Sequence, residues 1–500
     1  MIGNMRKTTK YAQQFYMKAF CINLQGHYVF PIGIVMAVLF FSCAQEPVVP
    51  NILFIATDDL NTDLGCYGNS QVITPNIDKL AQMGVRFDNA YCQFPLCGPS
   101  RASIMTGLRP NTTKFLGNRD SIRKLKPDVE TMGQFFQKKG YYVGRVGKIY
   151  HYNNPSAIGT DGHDDTLSWH ERFNPKGIDK IHEDRIIRFP GGTTGRKGGL
   201  GISMAYWDPV SEDSEHTDGM VADRAVEMIE RNKDQPFFIA AGFFNPHCPY
   251  VAPKKYFDLY PLEDIAMPSL DEAKEDLEDV PAMAMTRHGR LRWPYYFDGI
   301  TMDEARRCKQ AYYASVSFID AQVGKLIAAL ENNNLLENTI IVFWSDHGYF
   351  LGEKGLWYKA KNFERSVKVP LIISGYGVDQ KNKVIKDPVE LIDLFPTLVQ
   401  GSGNTINKEL EGSSLIPFLK NTSYTWDKPA VSQVFYPDRQ GYSIRTGRWR
   451  YTEWMGGEAG RELYDHENDP EEITNLANHP EYQYIVNDLS AQLEPYSIYY

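Results

Sequence analysis

Two apolar runs, far apart in the chain, constrain the fold more than any other feature. Asn51-Ile52-Leu53-Phe54-Ile55-Ala56 and Ile340-Ile341-Val342-Phe343-Trp344 are almost continuously apolar. Such runs suit strands buried on both faces, as in a parallel sheet covered by helices. Each is followed directly by metal-type ligands: Thr57-Asp58-Asp59 after the first and Ser345-Asp346-His347-Gly348 after the second. Ligands of open α/β sheets gather beyond the carboxyl ends of the strands. The repeated design therefore predicts one site built from both ends. Its carboxylate oxygens suit Ca²⁺ or Mg²⁺, and the supply of His and thiolate is too small for a zinc preference.

The segments between supply the remaining layers. Residues 75–81 read as a helix start with its apolar stripe, and 85–91 as a short strand. A helix over 131–136 precedes a strand over 141–146, which delivers Lys148 and His151. Residues 153–213 are rich in Gly, Asp, His and Pro, with little periodicity, and read as a long functional loop region. A helix over 217–232 and a strand over 236–241 then lead to His247, between Pro246 and Cys248-Pro249. A second irregular insertion covers 252–292. Asp303 is placed to cap a long helix that runs past Ile327. Residues 352–363 form a glycine-containing turn with Lys359, 369–373 another buried strand, and 391–398 a core helix kinked by Pro396. Past residue 426 short alternating strands at 441–446, 449–454 and 462–465, then a helix near 481–493, predict a small antiparallel sheet.

Cys97-Gly98-Pro99-Ser100-Arg101-Ala102-Ser103-Ile104-Met105-Thr106-Gly107 is the other informative stretch. Pro99 suits the first turn of a helix, where its missing N–H has no partner to lose. Cys97 then lies at the positive end of a helix dipole, beside free backbone N–H groups and Arg101. That place favours an anion or a polarised nucleophile.

Cys97-x-Pro99-Ser100-Arg101, with Thr106-Gly107, resembles the signature of the type I sulfatases. The resemblance runs from about residue 51 to 465. It is carried also by Asp58-Asp59-Leu60, Gly65-Cys66-Tyr67-Gly68, 147–151, Pro246-His247, Ser345-Asp346-His347-Gly348 with Leu351-Gly352-Glu353, and 441–446. The Asp-His-Gly form, where Asp-Asn is commoner, resembles the iduronate-2-sulfatases within that family.

The resemblance implies an alkaline-phosphatase/sulfatase-like α/β fold: a large mixed sheet flanked by helices, with a small C-terminal antiparallel-sheet subdomain. The implied division is a leader over 1–43, a catalytic domain over 47–425 and a subdomain over 426–500. It implies that a separate maturation enzyme oxidises Cys97 to formylglycine. It further implies calcium held by Asp58, Asp59, residue 97, Asp346 and His347. Arg101, Lys148 and Lys359 would balance the charge of the transferring sulfate. His247, or else Lys359, would protonate the leaving sugar, and His151 would take the proton that lets sulfate depart. The implied substrate is a sulfated polysaccharide or oligosaccharide, attacked from its end at a uronate 2-sulfate. Sulfated algal polysaccharide is the alternative. A phosphodiesterase or phosphonate hydrolase would use a similar sheet, and a non-catalytic glycan-binding lipoprotein would leave Cys97 unconverted.

Net charge narrows the partners. At −9 over 500 residues, with no basic arm or stripe, the chain is not a general nucleic-acid binder. Its seven cysteines form no CxxC pair or zinc spacing, so free buried thiols are expected, with a Cys66–Cys92 bridge as the alternative. Lys7, Lys10 and Lys18 precede an apolar run over 29–41 of signal-peptide length, closed by Ser42-Cys43. This resembles a bacterial lipoprotein leader with Cys43 as the lipidated residue; a plain signal peptide is the alternative. Either implies export, to the periplasm or to a membrane anchor.

Overall fold

A computed structural model describes residues 49–193, 199–285, 300–405, 410–421 and 423–499. The leader, including Cys43, lies outside the described residues, as does part of the second insertion, 286–299. The strands that matter are β1 (Asn51–Thr57), β2 (Gly84–Tyr91), β3 (Tyr142–Gly147), β4 (Glu171–Phe173), β5 (Phe237–Gly242), β6 (Thr339–Ser345), β7 (Lys368–Gly375), β8 (Lys383–Ile385) and β9 (Val389–Glu390). They form one nine-stranded sheet in the order β8-β2-β7-β6-β1-β5-β3-β4, with β9 also on β2. β6, β1, β5, β3 and β4 run parallel, while β7 is antiparallel to both of its neighbours, so the sheet is mixed.

Period-two alternation divides β1 between two cores. Leu53 and Ile55 join one cluster; Ile52, Phe54 and Ala56 join the other. The first cluster is covered by α1 (Pro75–Gln82), α4 (Thr217–Asn232) and α5 (Met302–Asn332); the second by α2 (Cys97–Thr106), α3 (Met132–Lys138) and α6 (Leu394–Gly401). Both faces are dry, which is why the strand needs apolar residues at every position. Each fully buried Leu, Ile or Phe contributes roughly 1.5–3 kcal/mol.

The C-terminal strands β10 (Ala430–Tyr436), β11 (Arg439–Arg445), β12 (Trp449–Trp454) and β13 (Arg461–Asp465) make a separate antiparallel sheet. Val431, Tyr442, Ile444, Tyr451 and Leu463 pack on Ile485, Val486, Leu489 and Leu493 of α7 (Gln483–Leu493). An ion-pair seam joins this sheet to the large one. Arg450 of β12 pairs with Glu364 and, at 2.7 Å, with Glu472.

The structure corrects several local expectations. Asp303 does not cap α5; Thr301 does, in a capping box with Glu304 (Glu304 N–H to Thr301 Oγ1 3.2 Å, Thr301 N–H to Glu304 Oε2 2.8 Å). The Thr-x-x-Glu spacing satisfies two end donors reciprocally, leaving Asp303 to pair with Arg306 at 2.8 Å. Pro396 stands in the first turn of α6, where it costs no hydrogen bond, and so does not kink it. The region over 153–213 is more ordered in form than its composition suggests. It supplies β4 to the edge of the main sheet, and Ile187–Thr193 and Ser203–Trp207 form a small sheet with Tyr250–Val251. The five described cysteines are all free thiols, so Cys66 and Cys92 are not bridged. Among the described residues, no helix is long and apolar enough to cross a membrane.

Candidate active site

Adjacency of four parallel strands assembles the site. In the order β6-β1-β5-β3, Thr57 lies opposite Ser345, Ala56 opposite Gly242, and Gly147 opposite Gly242. All four therefore end at one edge, and the residues just past them meet there: Asp346 and His347, Asp58 and Asp59, His247, and Lys148 with His151. α2 then aims its N-terminus at this edge, with Cys97 as its first residue and Leu96 as its cap position.

Cys97 is fully buried. Its Sγ lies 3.3 Å from His347 Nε2, 3.5 Å from Lys359 Nζ and 3.9 Å from Asp59 Oδ1. Burial pushes its thiol far above the usual range, despite Lys359 nearby. The thiol as it stands is thus a poor thiolate nucleophile.

Arg101 spans the strand ends. Its Nε donates to Asp346 Oδ2 at 2.8 Å, and its Nη2 to Asp58 Oδ1 at 3.2 Å and Thr57 O at 3.0 Å. Its Nη1 donates to Lys148 O at 2.6 Å and Ile149 O at 3.1 Å. The guanidinium is consumed in tying three strand ends together. Ser100, the preceding residue, adds a 2.5 Å bond to Asp346 O.

The three acids are fully buried and lie in different electrostatic surroundings. Burial alone would raise Asp58, yet Lys148, in direct contact, and Arg101 hold it far below the usual carboxylate range. Asp346 is likewise held low, against burial, by Arg101. Asp59 is instead pushed up to about 7 by burial, with Asp58 and Asp346 adding to the effect against Lys359. Its Oδ1 meets Lys359, but its Oδ2 is a buried carboxylate oxygen without a donor. Buried carboxylate oxygens are normally satisfied by donors or cations.

Ligand atoms of Asp58, Asp59, Cys97 and His247 lie within 4.8 Å of one another, as do those of Cys97, Asp346 and His347. His347 Nδ1 is 2.9 Å from Gly348 O; a carbonyl only accepts, so Nδ1 carries the proton and Nε2 presents a bare lone pair to the cluster. Burial lowers this ring to about 4, which keeps it neutral as a ligand must be. Oxygen-rich donors, one bare imidazole nitrogen and an unpartnered carboxylate oxygen fit a hard divalent cation such as calcium.

His247 follows the same logic: Nδ1 donates to Cys248 O at 2.6 Å, leaving Nε2 bare at 3.8 Å from Asp59 Oδ2. His151 is reversed. Its Nε2 donates to Asn153 Oδ1 at 3.2 Å, and its buried Nδ1 has no partner. Lys359 is held charged, against burial, by Asp59. It stands between Tyr358 and Ala360, both with φ above +70° (74° and 71°), a conformation that non-glycine residues adopt at a cost.

Two supports escaped sequence reading. Asp218 of α4 accepts the N–H groups of Phe244 (2.8 Å) and Asn245 (2.9 Å), fixing the loop that carries His247. Arg145, a charged residue inside an apolar strand, binds Asp164 (2.6 Å), Tyr152 (2.7 Å) and Asn174 (2.5 Å) beneath the Lys148–His151 turn. Its position in β3 was a legible signal, because a buried guanidinium demands partners. Asp218 gave none, since an acid in the first turn of a helix is ordinary.

A second cluster, Glu364, His466 and Glu472, has metal-like proportions but is already met by Arg450, with Lys368 and Arg445 also facing Glu364.

Comparison with known proteins agrees with this arrangement. The Sulfatase family model matches residues 50–403, and the model for the N-sulphoglucosamine sulphohydrolase C-terminal region matches 352–498. A sulfatase of Formosa agariphila is 36% identical, over 90% of this chain and 87% of that protein. Iduronate 2-sulfatase of Homo sapiens is 31% identical, over 86% of this chain and 91% of that protein. The structure of a phosphonate monoester hydrolase of Agrobacterium radiobacter shares the fold, with a TM-score of 0.71 at 23% identity, over 89% and 95% of the two chains. With Cys97 at its helix start, the buried acids around it and a family match across most of the length, the chain belongs to the formylglycine-dependent sulfatases, a family of sulfuric ester hydrolases.

Proposed function

We propose that this protein releases inorganic sulfate from the end of a sulfated oligosaccharide, with a uronate 2-sulfate as its preferred ester. The observation that carries the reaction is the meeting of Cys97 with Asp59, His347 and Lys359 within 3.9 Å at a helix N-terminus. The uronate preference is supported by the 31% identity to human iduronate 2-sulfatase and by the Asp346-His347-Gly348 form.

In this reading Asp58, Asp59, Asp346 and His347 hold calcium, which when bound polarises the sulfate group and residue 97 as a Lewis acid. Oxidised to formylglycine and hydrated, residue 97 offers one hydroxyl for attack on sulfur and a second for release of sulfate. Lys148 and Lys359 supply the positive charge facing the sulfate oxygens. Arg101 neutralises Asp58 and Asp346 and fixes the strand ends, because its donors are already taken. Lys359 is favoured as proton donor to the leaving sugar oxygen. It carries its proton already, whereas His247 Nε2 is bare in this tautomer and must first take one up. The partnerless Nδ1 of His151 supports its role as the base that takes the proton from residue 97.

The same reading makes 47–425 the catalytic domain and 426–500 a covering subdomain. It makes 1–43 an export leader with Cys43 as lipid acceptor, and it requires a formylglycine-generating enzyme as maturation partner.

The test is sulfate release by matured protein with calcium. The panel is 2-O-sulfated uronate disaccharides, 6-O- and N-sulfated glucosamine, ulvan and carrageenan oligosaccharides, and an aryl phosphonate. Preference for the uronates supports the whole reading. Activity on algal sugars alone removes the uronate, and turnover of the phosphonate alone removes the sulfatase reaction.

A further inference from the structure

Asp59 occupies the left-handed region, with φ +64°. This is uncommon for a residue with a side chain, although Asp tolerates it better than most, and partners that fix the turn favour it. The polar backbone groups of the turn over 59–61 show what does so. Asp59 N–H donates to Asp346 Oδ1 at 3.1 Å, and Leu60 N–H to Ser345 Oγ at 3.0 Å. Asn61 N–H donates to the Tyr312 hydroxyl at 2.9 Å, and that hydroxyl donates to Asp59 O at 2.8 Å. One phenol, fully buried on α5, thus bridges both sides of Leu60. The Ser345 hydroxyl in turn donates to His347 O at 3.1 Å, so it joins the turn of Asp59 to the backbone of His347.

Tyr312 is itself held. Its ring stacks on Tyr349 at 5.4 Å and 18°, and the Tyr349 hydroxyl bonds the Tyr250 hydroxyl at 2.6 Å. Trp357 Nε1 donates to that same Tyr250 oxygen at 2.9 Å. One aromatic cluster therefore underlies the loops bearing Asp59, His347, His247 and Lys359. None of these hydroxyls touches the cluster of ligand atoms.

We infer that Tyr312 and Ser345 are positioning residues that hold the Asp59 turn in its metal-binding form before the metal arrives. This rests on the calcium reading above. A preformed turn lets Asp59 present its unpartnered Oδ2 without rearrangement, and outer supports of this kind typically alter metal affinity about 10–100-fold. Without the Tyr312 hydroxyl, Asp59 O and Asn61 N–H lose their shared partner. The turn is then free to leave its strained conformation, and calcium must impose it.

The experiment titrates calcium chloride into chelator-treated Tyr312→Phe, Ser345→Ala and wild type by calorimetry, alongside sulfate release. Tyr313→Phe is the control, since it removes a neighbouring buried hydroxyl that does not contact the turn. The expected result is a calcium Kd raised about tenfold or more in both test variants and within twofold in the control. Saturating calcium should restore kcat to within a few-fold of wild type. A purely structural role would lower Tm and leave Kd unchanged, which overturns the inference. Equal Kd changes in Tyr312→Phe and Tyr313→Phe overturn it too, as does a wild type that binds no calcium. Should Tyr312→Phe not fold, the calcium Kd of Ser345→Ala decides alone. A wild type that binds calcium yet releases no sulfate refutes the proposed function while the Kd comparison still decides the clamp.

Discussion

The molecule buries two charged clusters, and they are built to opposite specifications. At the seam between the sheets, Arg450 meets Glu364 and Glu472, the Tyr91 hydroxyl donates to Glu364 Oε1 at 2.9 Å, and Glu364 N–H donates to Glu472 Oε2 at 2.8 Å. His466 Nε2 adds a 3.1 Å contact to Glu472 Oε1. Every carboxylate oxygen there has a partner. At the sheet edge, three buried acids face two lysines and one arginine, yet Asp59 Oδ2 has no donor and the backbone carrying it is strained. The seam completes its own electrostatics and so serves stability. The edge leaves one valence open, which marks it as the place for a ligand.

That contrast breaks most sharply at Cys97. Cys97→Ala should lower sulfate release by at least about four orders of magnitude, because the proposed nucleophile is gone, while Tm stays close to wild type. Retained activity, measured by sulfate release, would sink the mechanism. Arg450→Met should do the reverse. Two buried carboxylates would lose their shared cation, with Lys368 (3.6 Å) and Arg445 (3.7 Å) left near Glu364, costing about 3–5 kcal/mol in a urea melt, with kcat near wild type in whatever remains folded. A loss under about 1 kcal/mol would mean that the seam is not the stabilising cluster.

Glu462 sharpens the comparison through pH. Burial raises it to about 7, although Trp454 and Tyr464 donate to it (2.6 and 3.0 Å). Its folded pKa exceeds the unfolded one, near 4.3, so the folded state binds more protons in that window and stability falls as pH rises through it. Glu462→Gln should therefore match wild type near pH 4 and exceed it by roughly 1–3 kcal/mol at pH 8. Equal stability of the two proteins at both pH values would refute that environment. The smallest expected effect is chelation. Removing calcium should lower the wild-type Tm by a few degrees and leave the Asp59→Ala Tm nearly unmoved, since a cation stabilises only where it binds.

The fold was legible where physics acts along the chain. Residues 51–56 and 340–344 announce buried parallel strands because both faces of a covered sheet must be apolar, and Asp58, Asp59, Asp346 and His347 announce a site because they follow such strands. For Arg101 the sequence indicated a balancing charge at the site but not the groups it holds. Its type and spacing are the same whether it faces a ligand or spans strand ends, and only the five occupied donors separate the two. Asp303 misled because acid at a helix start is common, while the Thr301–Glu304 pair closes two bonds at once.

By itself the sequence determined the covered sheet, the helix start at Cys97 and the residues gathered beyond the strands, all set by local periodicity and turn chemistry. The tertiary structure decided the antiparallel course of β7, the tautomers of His247 and His347, the open oxygen of Asp59 and the grip of Tyr312 on its turn. The grip on the Asp59 turn depends on groups brought together across some 250 residues of chain, and no local pattern encodes a partner that far away; the two tautomers follow from loop conformations that turn each ring onto the next residue's carbonyl.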